Sequence, residues 1–194
     1  MRKAPRQARS RATVEAVIEA GARILSDHGW AGFTTNKVAE AAGVSIGSLY
    51  QYFPDKVALV DAIRRRHLED SLAAVHGASA PEKSLARFAE DLVDAIIAAH
   101  QVHPGLHRAL LDQAPVPDGY LDLNDRFEAD YLRCFARAVA VYRSRSTDAS
   151  DETVSLIVSD AIDGVVHNAA RRGMLGDQAV RNELARLVRL CLSA

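Results

Sequence analysis

The stretch TTNKVAEAAGVSIGSLYQYFPDK, residues 34–56, decides how the rest of this chain is interpreted. Gly43 separates two short segments with helical spacing of apolar residues, and Pro54 closes the second segment. A threonine pair precedes the first segment and Ser45 precedes the second, and these residue types cap helix starts. The spacing therefore predicts a helix-turn-helix, a motif whose second helix enters the major groove of DNA.

The second of these helices has an inward and an outward side. At about 100° per residue, Leu49 and Phe53 share one side of the helix. The opposite side centres on Gly47 and Gln51. A glycine inside a helix costs about 1 kcal/mol relative to alanine, and the close approach of a backbone or phosphate would explain it. Hydroxyl and amide groups on this side can bind phosphates or base edges.

The remaining sequence predicts helices throughout, so the fold class is all-α. Apolar residues recur at positions i, i+3, i+4 and i+7, and strand-like alternation is absent. One helix precedes the quoted stretch and ends near Gly29, and a fourth begins after Asp55. A capping box at Ser79–Glu82 starts the first of the longer helices that follow. The total is about nine helices.

The composition limits the class of protein. With 194 residues, 48% apolar and 25% charged, the chain is expected to fold around a core rather than remain disordered. No apolar run approaches the roughly 18 residues of a membrane span, and no apolar segment of a secretory signal follows the basic N-terminus. We therefore expect a cytoplasmic protein with no membrane partner. Cys134 and Cys191 are expected to be reduced thiols.

Charge is distributed unevenly along the chain. Residues 1–66 carry a net charge of +5 and residues 67–194 a net charge of −6. A basic first third suggests a surface for a polyanion near the N-terminus. Chance clustering, with the arginine-rich tail contributing most of the excess, is the alternative.

The run T-T-x-x-V-A-x-x-A-G-V-S-x-G-S-L-Y-x-Y-F-x-x-K, over residues 34–56, resembles the DNA-binding signature of TetR-family transcriptional regulators. The length and the nine predicted helices fit the same family. The resemblance implies a DNA-binding domain with a basic N-terminal arm over residues 1–58 and an effector-binding and dimerisation domain over residues 59–194. It implies a sequence-specific regulator, most simply a repressor that binds a palindromic double-stranded DNA operator as a homodimer and is released by a ligand.

The resemblance also implies which residues contact DNA. Phosphate-anchoring roles fall on Tyr50, Tyr52 and Lys56. Many relatives have a basic residue near position 36, where this chain has Asn36 followed by Lys37, so that contact stays open between the two. The complete predicted set is Thr35, Asn36, Lys37, Ser45, Ile46, Gly47, Ser48, Tyr50, Gln51, Tyr52 and Lys56.

Two residues of this set are candidates for base recognition. Gln51 can pair with adenine, and Ile46 can touch a thymine methyl group. The alternative for Ile46 is that it seals the core of the domain.

The last two helices have broad apolar faces. Together with the resemblance, these faces predict a two-fold four-helix interface. Ordinary intramolecular packing is the alternative. The predicted interface residues are Val158, Ile162, Val165, Val166, Leu184, Leu187, Val188 and Cys191.

Aromatic residues and histidines in the second half predict an effector pocket for a small hydrophobic or amphipathic molecule, with plain core packing as the alternative. The predicted lining residues are Phe88, His100, His107, Tyr120, Phe127, Tyr131, Phe135 and His167. A metal site at His100, His103 and His107 is disfavoured because Pro104 breaks the helical spacing. No metal or cofactor is predicted.

Other functional classes have less support. No catalytic or phosphate-cradling motif of the common kinds is present, so no enzyme activity is expected. A helical small-molecule-binding or oligomerisation module without sequence-specific DNA binding is the second hypothesis. Salt-dependent, sequence-specific retention on DNA would separate the two.

Overall fold

The computed structural model describes residues 8–78, 83–115, 120–143 and 149–193. Over these residues the chain forms nine α-helices and no strand, which confirms the all-α prediction. The helices are α1 Ala8–Gly32, α2 Thr35–Ala41, α3 Ile46–Tyr52, α4 Lys56–Ala78, α5 Leu85–Val102, α6 Leu106–Arg108, α7 Tyr120–Tyr142, α8 Asp151–Arg171 and α9 Gln178–Ser193. A π-helical turn, Ala109–Gln113, continues α6.

Local residue chemistry accounts for the helix ends. Gly29 has φ +61° and interrupts α1 one turn before its end at Gly32. Thr34 caps α2, because its side chain accepts the N–H of Lys37. The predicted capping box at Ser79–Glu82 lies outside the described residues.

The described residues form two compact units. The first contains the residues up to Leu68 and the segment from His103 to Pro115; the second contains Glu69–Val102 and the residues from Tyr120 onward. The functional boundary predicted after residue 58 stays a prediction.

The core of the first unit surrounds the helix-turn-helix. Helix α1 packs against α2, α3, α6 and the π-helical turn. Leu49 and Phe53 are fully buried with Phe33 and Leu25. Leu49 and Phe53 were predicted to point inward, and Phe33 and Leu25 are buried with them. The opposite side of α3 therefore faces away from the core.

The core of the second unit is built by α5, α7, α8 and α9. Helix α5 packs against α8 and α9, and α7 packs against α8. Phe88, Leu92, Phe135 and Ile162 are among its buried side chains. The interface prediction stays a prediction, but five of its residues are buried inside the protomer: Val158, Ile162, Val166, Leu184 and Val188.

Among the described residues, no helix combines the length and the apolar character that crossing a membrane requires.

Candidate nucleic-acid interface

Helices α2 and α3 are held together at their outer surfaces by two side chains. Oγ1 of Thr35, the first residue of α2, lies 3.1 Å from the hydroxyl oxygen of Tyr50 on α3. The connecting turn places Gly43 at φ +66°, a left-handed conformation that favours glycine. The N–H of Val44 then donates to the carbonyl of Ala39 at 3.0 Å. The predicted helix-turn-helix geometry is therefore present.

Ser45 fixes the start of α3. Its Oγ accepts the N–H of Ser48 at 3.1 Å and lies 2.8 Å from the Ser48 hydroxyl. The first turn of α3 carries no acidic side chain. The exposed N–H groups of a helix start attract anions, so the chemistry of this end suits a phosphate.

The outward side of α3 is accessible. Ile46 is 38% exposed and Tyr50 is 42% exposed, and Gln51 is also exposed. Ile46 therefore does not seal the core of the first unit. An apolar tip and an amide on one exposed side are suited to contact base edges.

Gly47 lies on this same exposed side. A Cβ added to Gly47 would have Oγ of Ser45, at 3.9 Å, as its nearest neighbour among the described atoms. Intramolecular packing therefore does not require a glycine here. The missing side chain makes room for something outside the described chain.

The polar residues at the start of α2 are accessible as well. Asn36 and Lys37 are exposed, and Nζ of Lys37 donates to the carbonyl of Gly32 at 3.0 Å. Thr35 is half-buried against Tyr50. Of the predicted DNA-contacting residues, Ser48, Tyr52 and Lys56 are also half-buried, and the others are exposed.

Lys56, at the start of α4, is tied to the end of α1. Nζ of Lys56 donates to the carbonyl of Trp30 at 2.8 Å and lies 3.4 Å from the centre of the indole ring. Desolvation lowers the pKa of Lys56. Trp30 was not among the residues predicted from the sequence. It is the one tryptophan of the chain, and that rarity was a usable signal.

The predicted effector residues belong to both compact units. Phe88 and Phe135 are buried in the second unit, where Phe88 stacks on Tyr142 with ring centres 4.9 Å apart. His107 belongs to the first unit, and its Nδ1 lies 3.1 Å from Nε2 of His67. The side chains of Tyr120 and Phe127 lie outside the described residues.

Two polar pairs, each joining a buried and a half-buried side chain, interrupt the apolar core of the second unit. The hydroxyl of Tyr131 on α7 donates to Oδ1 of Asp163 on α8 at 3.0 Å. Nε2 of His100 on α5 lies 3.2 Å from Nε2 of His167 on α8. Because Nδ1 of His100 lies 2.9 Å from the carbonyl of Ile96, which can only accept, Nδ1 carries the proton and His167 donates to Nε2.

Burial shifts the pKa values of these groups. It raises the pKa of Asp163 to about 6, with the nearby charge of Asp160 adding to the shift. It lowers the pKa of His167 to about 4, with His100 adding to that shift. Desolvation also lowers the pKa of His100. These groups can offer both a hydrogen-bond donor and an acceptor in an apolar surrounding.

Part of the surface of α8 and α9 is apolar. Of the predicted interface residues, Val165 and Leu187 are each 36% exposed and Cys191 is half-buried. Ile157, on the apolar face predicted for α8, is exposed as well. Leu156 and Leu190 are two further exposed apolar residues on these helices that were not predicted from the sequence.

Two family models match the chain. The model of bacterial regulatory proteins of the tetR family matches residues 17–63, and that of the tetracyclin repressor-like C-terminal domain matches residues 84–192. The second match alone covers more than half of the 194 residues. The chain therefore belongs to the TetR family of bacterial regulatory proteins.

Curated relatives match a shorter region. Nucleoid occlusion factor SlmA from Glaesserella parasuis serovar 5 (strain SH0165) is 32% identical over 89 residues, 46% of this chain and 44% of that protein. The same factor from Haemophilus ducreyi (strain 35000HP / ATCC 700724) is 30% identical over the same shares. The chain thus spans under half the length of these curated relatives.

Solved structures share the fold over nearly the whole chain. A TetR-family regulator structure from Rhodococcus sp. has a TM-score of 0.71 at 19% identity, covering 93% of this chain and 99% of that one. A TetR regulator from Haloarcula marismortui ATCC 43049 has a TM-score of 0.71 at 22% identity, covering 94% and 97%. The fatty acid degradation regulator FadR from Bacillus halodurans has a TM-score of 0.70 at 16% identity, covering 90% and 97%.

Proposed function

We propose that this protein is a sequence-specific DNA-binding transcriptional regulator, a repressor that binds a palindromic operator as a homodimer and leaves it when a small ligand binds. The observation that carries the proposal is the outward side of α3. It combines an uncrowded glycine, an exposed amide and an exposed apolar tip above a fully buried Leu49. Membership of a family of bacterial regulatory proteins supports the same conclusion.

The division of DNA contacts follows from side-chain chemistry. Gln51 and Ile46 read bases, since both are exposed on one side of α3. Phosphates are bound by Tyr50, Tyr52 and Lys56. Thr35 and its neighbours at the start of α2 also bind phosphates. Phosphate contacts of this kind position the helix but carry no sequence information.

Two copies are needed because one half-site provides few contacts. The apolar surface of α8 and α9, which includes Ile157 at 54% and Leu190 at 56% exposed, is the surface on which we place the second copy. Exposed apolar area that a partner covers contributes about 25 cal/mol per Å². A two-fold dimer also matches a palindromic operator.

Ligand release works by a population shift. A hydrophobic or amphipathic effector in the second unit, near Phe135, Tyr131 and His167, would favour a protomer conformation whose α3 no longer fits the groove. Coupling free energies of ~1–3 kcal/mol change DNA affinity by about 5–150-fold. Thermodynamic linkage then requires operator DNA to weaken effector binding by the same factor.

Footprinting tests the proposal. The full chain is incubated with DNA from upstream of its own gene and of the neighbouring genes, over a range of salt concentrations. A regulator protects a palindromic segment in a salt-dependent manner. A chain that remains monomeric and protects no segment at low salt would instead be the helical binding module of the second hypothesis.

A further inference from the structure

Lys56 is held in one place by Trp30. The Lys56 ammonium lies 3.4 Å from the centre of the indole ring while donating to the Trp30 carbonyl at 2.8 Å. A lysine side chain that is free in solution must lose its rotamer freedom when it binds a phosphate. Here the tryptophan has already restricted that freedom. An ammonium has three donors, and the Trp30 carbonyl and the indole face do not occupy all of them.

Trp30 is itself held by a residue far away in the sequence. Its backbone N–H donates to Oε1 of Gln113 at 3.0 Å, and its ring stacks on Phe33 with ring centres 6.2 Å apart. Gly29 makes the approach of Gln113 feasible. A Cβ on Gly29 would lie 2.4 Å from that same Oε1, and the φ of +61° disfavours other residues.

The segment that carries Gln113 is anchored to the rest of the first unit at two more points. The N–H of Gly105 donates to Oγ of Ser26 at 3.0 Å. The buried guanidinium of Arg64 donates to the carbonyl of Leu110 at 3.2 Å. Gln113 ends a π-helical turn, a rare conformation that occurs often at functional sites. The contacts therefore run from this turn through Trp30 to Lys56.

We propose that Trp30 is the positioning residue for the phosphate contact of Lys56, and that Gln113 holds Trp30 in place. This inference rests on the proposed function, because it requires Lys56 to bind a DNA phosphate. Trp30 acts through Lys56 and does not itself touch DNA. Through Gln113 and Trp30, the segment after α6 thereby determines the position of Lys56, at the start of α4, before the operator binds.

The salt dependence of operator binding tests this role. The dissociation constant of the full-length protein for a duplex of the footprinted operator is measured over a series of salt concentrations. Lys56→Ala should reduce the slope of log affinity against log salt by about 0.9 for each phosphate that the protein no longer neutralises. Trp30→Ala should lower both the operator affinity and the slope, by no more than Lys56→Ala does, and it should change nothing further in the Lys56→Ala background.

Milder variants guard against loss of folding. Trp30→Phe keeps an aromatic face beneath the ammonium and should give an intermediate slope. Gln113→Met keeps the size of the side chain but removes the acceptor, and should also reduce the slope. Gln101→Met is the matched control, because Gln101 donates its amide hydrogen bond in the second unit, to the Leu175 carbonyl at 3.2 Å. Its slope should equal that of the wild type.

The outcomes separate this inference from the proposed function. If Trp30→Phe and Gln113→Met keep the wild-type slope while Lys56→Ala lowers it, Trp30 has no positioning role. If Lys56→Ala also keeps the slope, Lys56 does not bind a phosphate and the inference is overturned, although specific binding stands. A wild-type protein with no footprint would overturn the proposed function and this inference together.

Discussion

The hydroxyl of Tyr50 on α3 lies 3.1 Å from Oγ1 of Thr35 on α2, so the two helices present a linked pair of hydroxyls on the outer side of the motif. Each hydroxyl can donate one hydrogen bond and accept others. One of the two hydroxyls donates its proton to the other. The hydroxyl that accepts keeps its own proton, which it can donate to a phosphate oxygen. The pair therefore fixes the direction of a donor before DNA arrives.

Tyr50→Phe should weaken operator binding with little effect on stability. The ring remains, but one hydrogen bond of roughly 0.5–1.5 kcal/mol is removed. Because a phosphate contact carries no sequence information, affinity should fall by a similar factor on operator and non-operator duplexes. Fluorescence anisotropy with both duplexes measures this. Thr35→Val in the Tyr50→Phe background should have less effect than Thr35→Val alone, and full additivity would show that the two hydroxyls act separately.

Gly47→Ala should stabilise the protein and weaken its binding to DNA. The new methyl group meets no described atom closer than 3.9 Å, and alanine is favoured over glycine in a helix by up to about 1 kcal/mol. The methyl group would nevertheless occupy the space into which DNA approaches. Thermal unfolding and operator affinity measure the two effects.

Gly77→Ala is a suitable control for this variant, because Gly77 on α4 is exposed and a Cβ there would have no described neighbour within 4 Å. It should leave operator affinity unchanged. If Gly47→Ala binds the operator as tightly as the wild type, the outward side of α3 does not approach DNA closely.

Gln51→Ala should relax the base preference at one position of each half-site. Removing a paired amide contact costs about 1–3 kcal/mol against the preferred base. Selection from a randomised operator library, followed by sequencing, shows which position changes. An equal decrease in affinity on every sequence would instead make Gln51 a phosphate contact.

Leu187→Glu should make the protein monomeric and abolish tight operator binding. Leu187 is 36% exposed on α9, so a charge there should not disturb the protomer core but should prevent an apolar surface from being covered. Sedimentation velocity measures the oligomeric state. Val141→Glu is the matched control, because Val141 is 59% exposed on α7. Equal effects of the two variants would argue against the proposed dimer surface.

The stability of the protein between pH 4 and 6.5 should reflect two titrations of opposite sign. The pKa of Asp163, raised from 3.8 to about 6, makes its contribution to the free energy of unfolding largest below pH 3.8, and that contribution is lost as the pH rises through 6. The pKa of His167, lowered from 6.5 to about 4, makes stability increase as the pH rises from 4 to 6.5.

Removing one of the two titrating groups should reveal the pH dependence that the other contributes. Relative to the wild type, Asp163→Asn should make the free energy of unfolding rise more steeply with pH in this window, and His167→Gln should make it rise less or fall. Urea unfolding at several pH values between about 4 and 7 provides the data. Identical pH profiles for both variants would mean that neither side chain titrates as its burial implies.

Local sequence chemistry was enough to predict the helix-turn-helix. Ser45, Gly43 and Pro54 define the ends of α3 through capping, a left-handed turn and a ring that cannot continue a helix. Leu49 and Phe53 share one side because of helical periodicity, and both are buried. Such features depend only on neighbours within a few residues.

The exposure of individual apolar residues on α8 and α9 could not be predicted from local sequence. Val158 and Val165 lie on the same helix and are equally apolar, yet one is 1% exposed and the other 36%. Helix α8 carries apolar residues on more than one side. Periodicity cannot tell which side faces the core of its own protomer, because that depends on which other helices pack against it. Val158 belongs to the core that α8 shares with α5, α7 and α9.

The order of residues along the chain therefore determined the helices, their caps and the outward set on α3, since these depend on short-range sterics and hydrogen bonding. Only the tertiary structure decided which apolar residues remain exposed. It alone brought Gln113 to Trp30 and Trp30 to Lys56. These contacts join residues 83 and 26 positions apart, and no local pattern encodes a meeting that depends on how whole helices pack.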